Sequence, residues 1–137
     1  MTYRGVTYPD RLVLVHVQGE TWEVVADYRC RWEGGEITVP AGTKTDLASV
    51  PRLFRWLVPV VGDQNGAAVV HDRCYEVQTI LPRAEADALF LAGMKAAGVG
   101  WARRWAMYAA VRVGGWVPWG QRAREIERER AVGAVPG

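Results

Sequence analysis

Two hydrophobic periods divide this chain, and they do not mix. In the N-terminal part apolar residues alternate with polar ones, the period of a half-buried strand. Further on they recur at three- and four-residue spacing, the period of a helix packed on one side. Residues 12–17 form a β-branched apolar run closed by Gln18-Gly19. Residues 22–32 read as one strand, with Trp22, Val24, Ala26, Tyr28 and Cys30 on one side. Glu33-Gly34-Gly35 turns the chain into a short strand over residues 36–39, and residues 3–8 offer a further edge strand. Pro40, Gly42 and Pro51 then break regularity, so residues 41–52 read as a loop.

Helical spacing follows. A short helix opens near Ser49 or Pro51 and runs to Leu57. Asp63 can cap a helix over residues 64–79. Pro82 separates it from a second over residues 83–97, with Ala86, Leu89, Phe90 and Met94 on one stripe. The tight link predicts an antiparallel helical hairpin. Gly98 and Gly100 precede a third helix over residues 101–113, closed by Gly114-Gly115. The fold class is α+β, a small N-terminal antiparallel β-meander packed against a C-terminal cluster of three helices. Residues 1–120 make one domain, and residues 121–137 a charged helix and flexible tail.

Composition narrows the function. A chain of 137 residues can bury one core. A net charge of +2 creates no field that demands nucleic acid. Cys30 and Cys74 lack a metal-type spacing and read as buried thiols of a reducing compartment. The N-terminus carries no apolar signal region, and no apolar run reaches the ~18 residues that span a bilayer. The expected location is the cytoplasm of the cell that makes the protein.

Chemistry concentrates at His71-Asp72, inside an otherwise apolar helix. His71 and Tyr75 share a face at i and i+4, with Asp72 turned toward Glu76. An imidazole and a carboxylate there can serve one ligand, the first as a base and the second holding a cation or a water. The alternative is a satisfied histidine beside a solvated Asp72. Counting outward from the link between Thr79 and Arg83 brings Asp87 toward His71 and Tyr75, where it can orient the imidazole. It can equally pair with Arg83. The polar loop around Thr45, Asp46 and Ser49 either joins this site or only organises a turn. Asp72 and Asp46 would suit calcium or magnesium, and an added histidine zinc. His16, within an apolar strand, reads as a satisfied core residue.

A third region is rich in tryptophan, of which the chain has seven, and in arginine. Trp101, Trp105, Tyr108 and Arg112 fall at helical spacing. Arg104 lies beside them, and Trp116 and Trp119 follow in a Gly-Pro loop. They make a docking surface, a membrane-interface patch or a nucleic-acid stacking face, or they simply close the core.

The run VPAGTKTDLASVPR over residues 39–52, then AAVVHD over residues 67–72 with Tyr75, resembles a family of unknown function encoded by tailed bacteriophages and prophages. Arg83, Ala86-Asp87, Phe90, Met94, Tyr108, Val111-Arg112 and Gly114 agree with it. The resemblance implies phage or prophage origin, commonly near structural or lysis genes, and supplies no reaction. Locally, His71-Asp72-Arg73-Cys74-Tyr75 is similar to the active-site helix of secreted calcium-dependent phospholipases. That helix carries a histidine base, a calcium-binding aspartate and a tyrosine, and a carboxylate on the partner helix orients the histidine. The disulfides and glycine-rich calcium loop of those enzymes are missing.

Two functions are therefore expected as alternatives. One is a small hydrolase at the host envelope or in lysis, with His71, Asp87 and Tyr75 catalytic and Asp72 and Asp46 on a divalent cation. The other is a non-enzymatic virion or tail-assembly component, with an oligomer among its expected states, docking through Trp105, Arg104, Trp116 and Trp119 onto phage proteins or a host envelope component.

Overall fold

N-terminal alternation becomes five short strands, among the described residues, in the computed structural model, which describes residues 3–19, 21–45 and 65–134. They are β1 (Leu14–Gln18), β2 (Thr21–Val24), β3 (Tyr28–Trp32), β4 (Gly35–Val39) and β5 (Lys44–Thr45). Four helices follow, α1 (Asn65–Glu76), α2 (Arg83–Ala96), α3 (Trp101–Gly114) and α4 (Trp116–Ala134). The class is α+β, with antiparallel strands first and a helical cluster after them.

β3 and β4 form a hairpin around Glu33-Gly34, with Tyr28 opposite Val39 and Cys30 opposite Ile37. Those four side chains share the buried face of the pair. Arg29, Arg31, Glu36 and Thr38 take the other face, where Arg31 Nε lies 2.6 Å from Glu36. Gly34 has φ 103°, the left-handed geometry this tight turn requires.

The single strand expected over residues 22–32 is two strands in separate sheets. β2 pairs with β1 and β5, whereas β3 pairs with β4. The break falls at Val25, Ala26 and Asp27. The carboxylate of Asp27 accepts from the Ala41 amide at 2.8 Å, so this residue organises a crossing of the chain. Residues 3–8 form no strand, but they run beside β3 through a bridge between Thr7 and Arg31. Asp10 then holds Arg29 with both carboxylate oxygens, at 2.8 Å from Nε and 2.7 Å from Nη2.

α1 lies between two packed layers. Val69, Val70 and Cys74 join Tyr28, Cys30, Ile37 and Val39 of the strands. Ala67 and Ala68 pack instead with Phe90 and Met94 of α2 and Met107 and Val111 of α3. Both thiols are free and fully buried.

The loop expected for Trp116 and Trp119 is the first turn of α4. Pro118 is tolerated there because first-turn amides have no partner inside the helix. α4 continues without interruption past Gly120. His16 is exposed rather than core, donating from Nε2 to the Gly19 carbonyl at 2.7 Å and packing on Trp22. Among the described residues no helix is long and apolar enough to cross a membrane. Asp46, Ser49, the short helix ending at Leu57 and the Asp63 cap lie outside the described residues.

Candidate active site

The helical hairpin sets the site. α1 presents His71 and Tyr75 from one face, and α2 returns antiparallel to place Asp87 against both. His71 is 3% exposed and Asp87 0%. The Nε2 of His71 lies 2.6 Å from Asp87 Oδ1, and the Tyr75 hydroxyl donates to the same oxygen at 2.8 Å. Arg112 of α3 donates from Nη1 to the other oxygen, Oδ2, at 2.8 Å. Three elements thus converge on one buried carboxylate.

Burial pushes the Asp87 carboxyl up, but donation from His71, Tyr75 and Arg112 outweighs it and holds Asp87 below the ordinary carboxylate range. Burial, together with the bond to Asp87, pushes the Tyr75 phenol above its usual value. Tyr75 is therefore a protonated donor, and Asp87 an ionised acceptor. An ionised carboxylate can only accept, so in the neutral ring Nε2 of His71 carries the proton and Nδ1 the lone pair. That Nδ1 is buried and has no hydrogen-bond partner among the described residues. The ring is held between Tyr75 and Phe90, with centroids 4.4 and 4.7 Å away.

His71, Asp72 and Tyr75 line a cleft of about 420 Å³, with Thr45 on one wall and Gly115 and Pro118 on another. Asp72 accepts from the Thr45 hydroxyl at 2.6 Å, which fixes its carboxylate at this wall. β5 and α1 are thereby joined across the cleft. The cleft also has cationic walls in Lys44 and Arg122, and Arg122 is anchored by the Glu76 carbonyl at 3.0 Å.

The structure brings His71, Tyr75 and Asp87 into direct contact and puts Asp72 in the same cleft. It leaves Trp105 and Trp116 at the surface. Arg104 bonds the Val99 carbonyl at 3.2 Å, closing the turn before α3. Trp119 is half-buried and packs edge-on against Tyr75 at 5.0 Å. Asp46 lies outside the described residues. Among the described residues no group of three metal-ligating side chains converges.

Two roles escaped the sequence. Arg112 looked like part of an aromatic stripe and is the ion-pair partner of Asp87. Arg83, the alternative partner, does make a longer ion pair with Asp87, Nε to Oδ2 at 4.0 Å, and gives Nη2 to the carbonyls of Val111 and Arg112 at 3.0 and 2.7 Å. Arg83 thus neutralises the C-terminal end of α3 and holds the backbone from which Arg112 reaches inward.

The fold and site define an α+β domain with a buried histidine–carboxylate pair at a cleft wall. The chain belongs to the family described as protein of unknown function (DUF1353), matched over residues 22–111. The match takes in His71, Tyr75 and Asp87 and ends just before Arg112. No curated protein and no solved structure matches the chain.

Proposed function

We propose that this protein is a hydrolase of phage or prophage origin, with His71 as its general base. The observation that carries the proposal is the asymmetry of one imidazole. Nε2 is fixed by Asp87 at 2.6 Å, while Nδ1 is unpartnered among the described residues in a ring that lines the cleft. Nδ1 is closed off from solvent in this conformation, so water and substrate have to enter beside the ring; Nδ1 is then the nitrogen left to take a proton from that water as the oxygen attacks an ester or amide carbonyl. The proton then passes to the leaving group. Asp87 stabilises the imidazolium in between without itself taking the proton, as an orienting carboxylate does in a triad. Tyr75 and Arg112 keep that carboxylate ionised and in place.

Asp72 is the carboxylate assigned to a divalent cation that would polarise the carbonyl, with Asp46 as the second ligand. Calcium, magnesium and zinc are the ions to try. The phage setting rests on the TDLASVPR run and the HDxxY pattern, and a host-envelope substrate, lipid or peptidoglycan, follows from that setting.

Purified protein is to be assayed against soluble esters, phospholipid vesicles and peptidoglycan, with each ion and with chelator. At least one substrate should be turned over, and His71→Asn should lose about a hundredfold or more of the rate. If no substrate is hydrolysed under any ion, or if folded His71→Asn is as active as the parent, the hydrolase reading is wrong.

A second reading, a virion or tail-assembly component, is favoured by the exposed rings of Trp105 and Trp116. Under it the Asp87 network only locks α1, α2 and α3 together. The protein would then be present in purified particles, and Trp116→Ala would block its incorporation while His71→Asn would not. Particles that lack the protein would remove this reading.

A further inference from the structure

Among the described residues β1 has a single neighbour, because the sheet order is β1-β2-β5. The register with β2 decides which of its backbone groups are left over. Leu14 stands opposite Val24 and Val15 opposite Glu23, and the Val25 amide donates to the Val13 carbonyl at 2.9 Å. Bonded pairs alternate along an antiparallel ladder, so Val13 and Val15 turn their amides and carbonyls toward β2. Leu14 and His16 turn theirs outward, and Leu12 continues that series. No hydrogen bond joins these outward groups to a described residue.

Sheet edges are ordinarily guarded by charge, proline or a bulge. Residues 12–16, Leu-Val-Leu-Val-His, contain no proline and no Asp, Glu, Lys or Arg. The bulge of β1 falls between His16 and Gln18, at the hairpin end, and leaves residues 12–16 regular. On the sheet face opposite the buried Val24, Val13 is 42% exposed, Val15 48% and Val25, just past β2, 51%.

A row of outward amides and carbonyls is answered by another extended strand. That strand must also be apolar beside the valines and bring no charge to the seam. β1 itself meets both requirements. Paired antiparallel about a two-fold axis at Leu14, it opposes Leu12 to His16 and Val13 to Val15. The outward groups of 12 then bond those of 16, and Leu14 bonds Leu14, while valine packs on valine across the seam. Arg11, the next charge along the strand, falls opposite Val17 rather than opposite its own copy. Such a contact is isologous and closes on itself.

We propose that two copies of this chain pair through β1, joining two three-stranded sheets into one antiparallel sheet. β5, whose Thr45 holds Asp72, ends that sheet on each side, so the seam lies away from both clefts. The inference uses no residue of the His71 network and stands apart from the hydrolase reading.

The test uses the full chain, with sedimentation equilibrium and amide hydrogen exchange. The mass should rise from one chain to two with concentration, as suits a contact at the small end of interface sizes. In dilute protein the Leu14 and His16 amides should exchange about tenfold or more faster than that of Val15, and should become protected as the dimer fills. His16→Pro removes one outward amide and leaves the β1–β2 bonds in place, and Val15→Lys sets a charge at the seam. Each should fold and weaken the dimer about tenfold or more. His71→Asn should dimerise as the parent does, which separates failure here from failure of the hydrolase reading. A chain still monomeric at ~1 mM overturns the proposal. So does protection of the Leu14 and His16 amides at every dilution, which would mean that another part of the same chain already covers β1. A dimer that leaves those amides exposed, or that folded His16→Pro and Val15→Lys do not weaken, uses another face and overturns it as well.

Discussion

His71 Nε2 and Asp87 Oδ1 lie 2.6 Å apart, with the two side chains 2% and 0% exposed. Water cannot replace either partner, so the pair acts as a unit. Asp87→Asn keeps the shape but removes the charge that Arg112 and His71 face. We expect a loss of about 3 kcal/mol of stability, the scale for orphaning one side of a buried ion pair. Any hydrolytic activity should fall with it, because the amide no longer fixes the proton on Nε2. Chemical denaturation measures the first effect. Unchanged stability in Asp87→Asn would contradict the network described.

Acid should unfold the protein partly through the same carboxylate. The folded state holds Asp87 below the ordinary carboxylate value. The unfolded chain binds its proton near the usual value of about 4. The stabilisation is therefore complete above that value and is lost as pH falls through the lower, folded value. Asp10, held low chiefly by its bond from Arg29, adds to the same slope. Melting temperature against pH should fall on the acid side, and Asp87→Asn should flatten part of that fall. An acid limb of equal steepness in the variant would show that Asp87 does not supply it.

What could be read in advance depended on whether the deciding contact was local. The Asp87–His71 approach follows from counting along two helices joined by a tight link, and both lie within the hairpin. Arg112 could not be assigned that way. Its spacing from Trp105 and Tyr108 places it on their face of α3, and only the angle at which α3 crosses α2 sends it to Asp87. The split at Asp27 was obscured because Trp22, Val24, Tyr28 and Cys30 keep one alternating phase across it. Pro118 misled for a different reason. Proline is read as a breaker, yet within the first turn of a helix it removes no hydrogen bond.

The thiols give a test of the core that is independent of function. Burial pushes Cys74 up to about 12 and Cys30 to about 11. At neutral pH almost no thiolate exists in the folded state, and neither sulfur is reachable. Reaction with a disulfide reagent in native buffer should proceed only as fast as the protein opens, and should become rapid in denaturant. Labelling of Cys74 at the rate of a free thiol would mean that α1 does not pack on the strands as described.

Gly115 supplies the last prediction, because its role is close approach rather than a special backbone angle. Its φ is −68°, which any residue adopts. A Cβ there would nevertheless meet the Val111 carbonyl oxygen of the backbone first, and would lie 2.5 Å from the Tyr75 hydroxyl and 3.3 Å from Arg83 Nη2. Those two side chains hold Asp87 and the end of α3, so neither can yield without disturbing the site. Gly115→Ala should therefore destabilise by about 1–3 kcal/mol, the usual cost of overpacking, despite removing a flexible residue. Gly133, in the last turns of α4, has nothing within 4 Å of the corresponding position. Gly133→Ala should be neutral or stabilise by up to about 1 kcal/mol through helix propensity. The two substitutions are chemically identical, so opposite shifts in denaturation midpoint would isolate the close packing around Gly115, against the Val111 carbonyl and Tyr75. Equal shifts of the same sign would mean that the end of α3 is not packed at Gly115 as described.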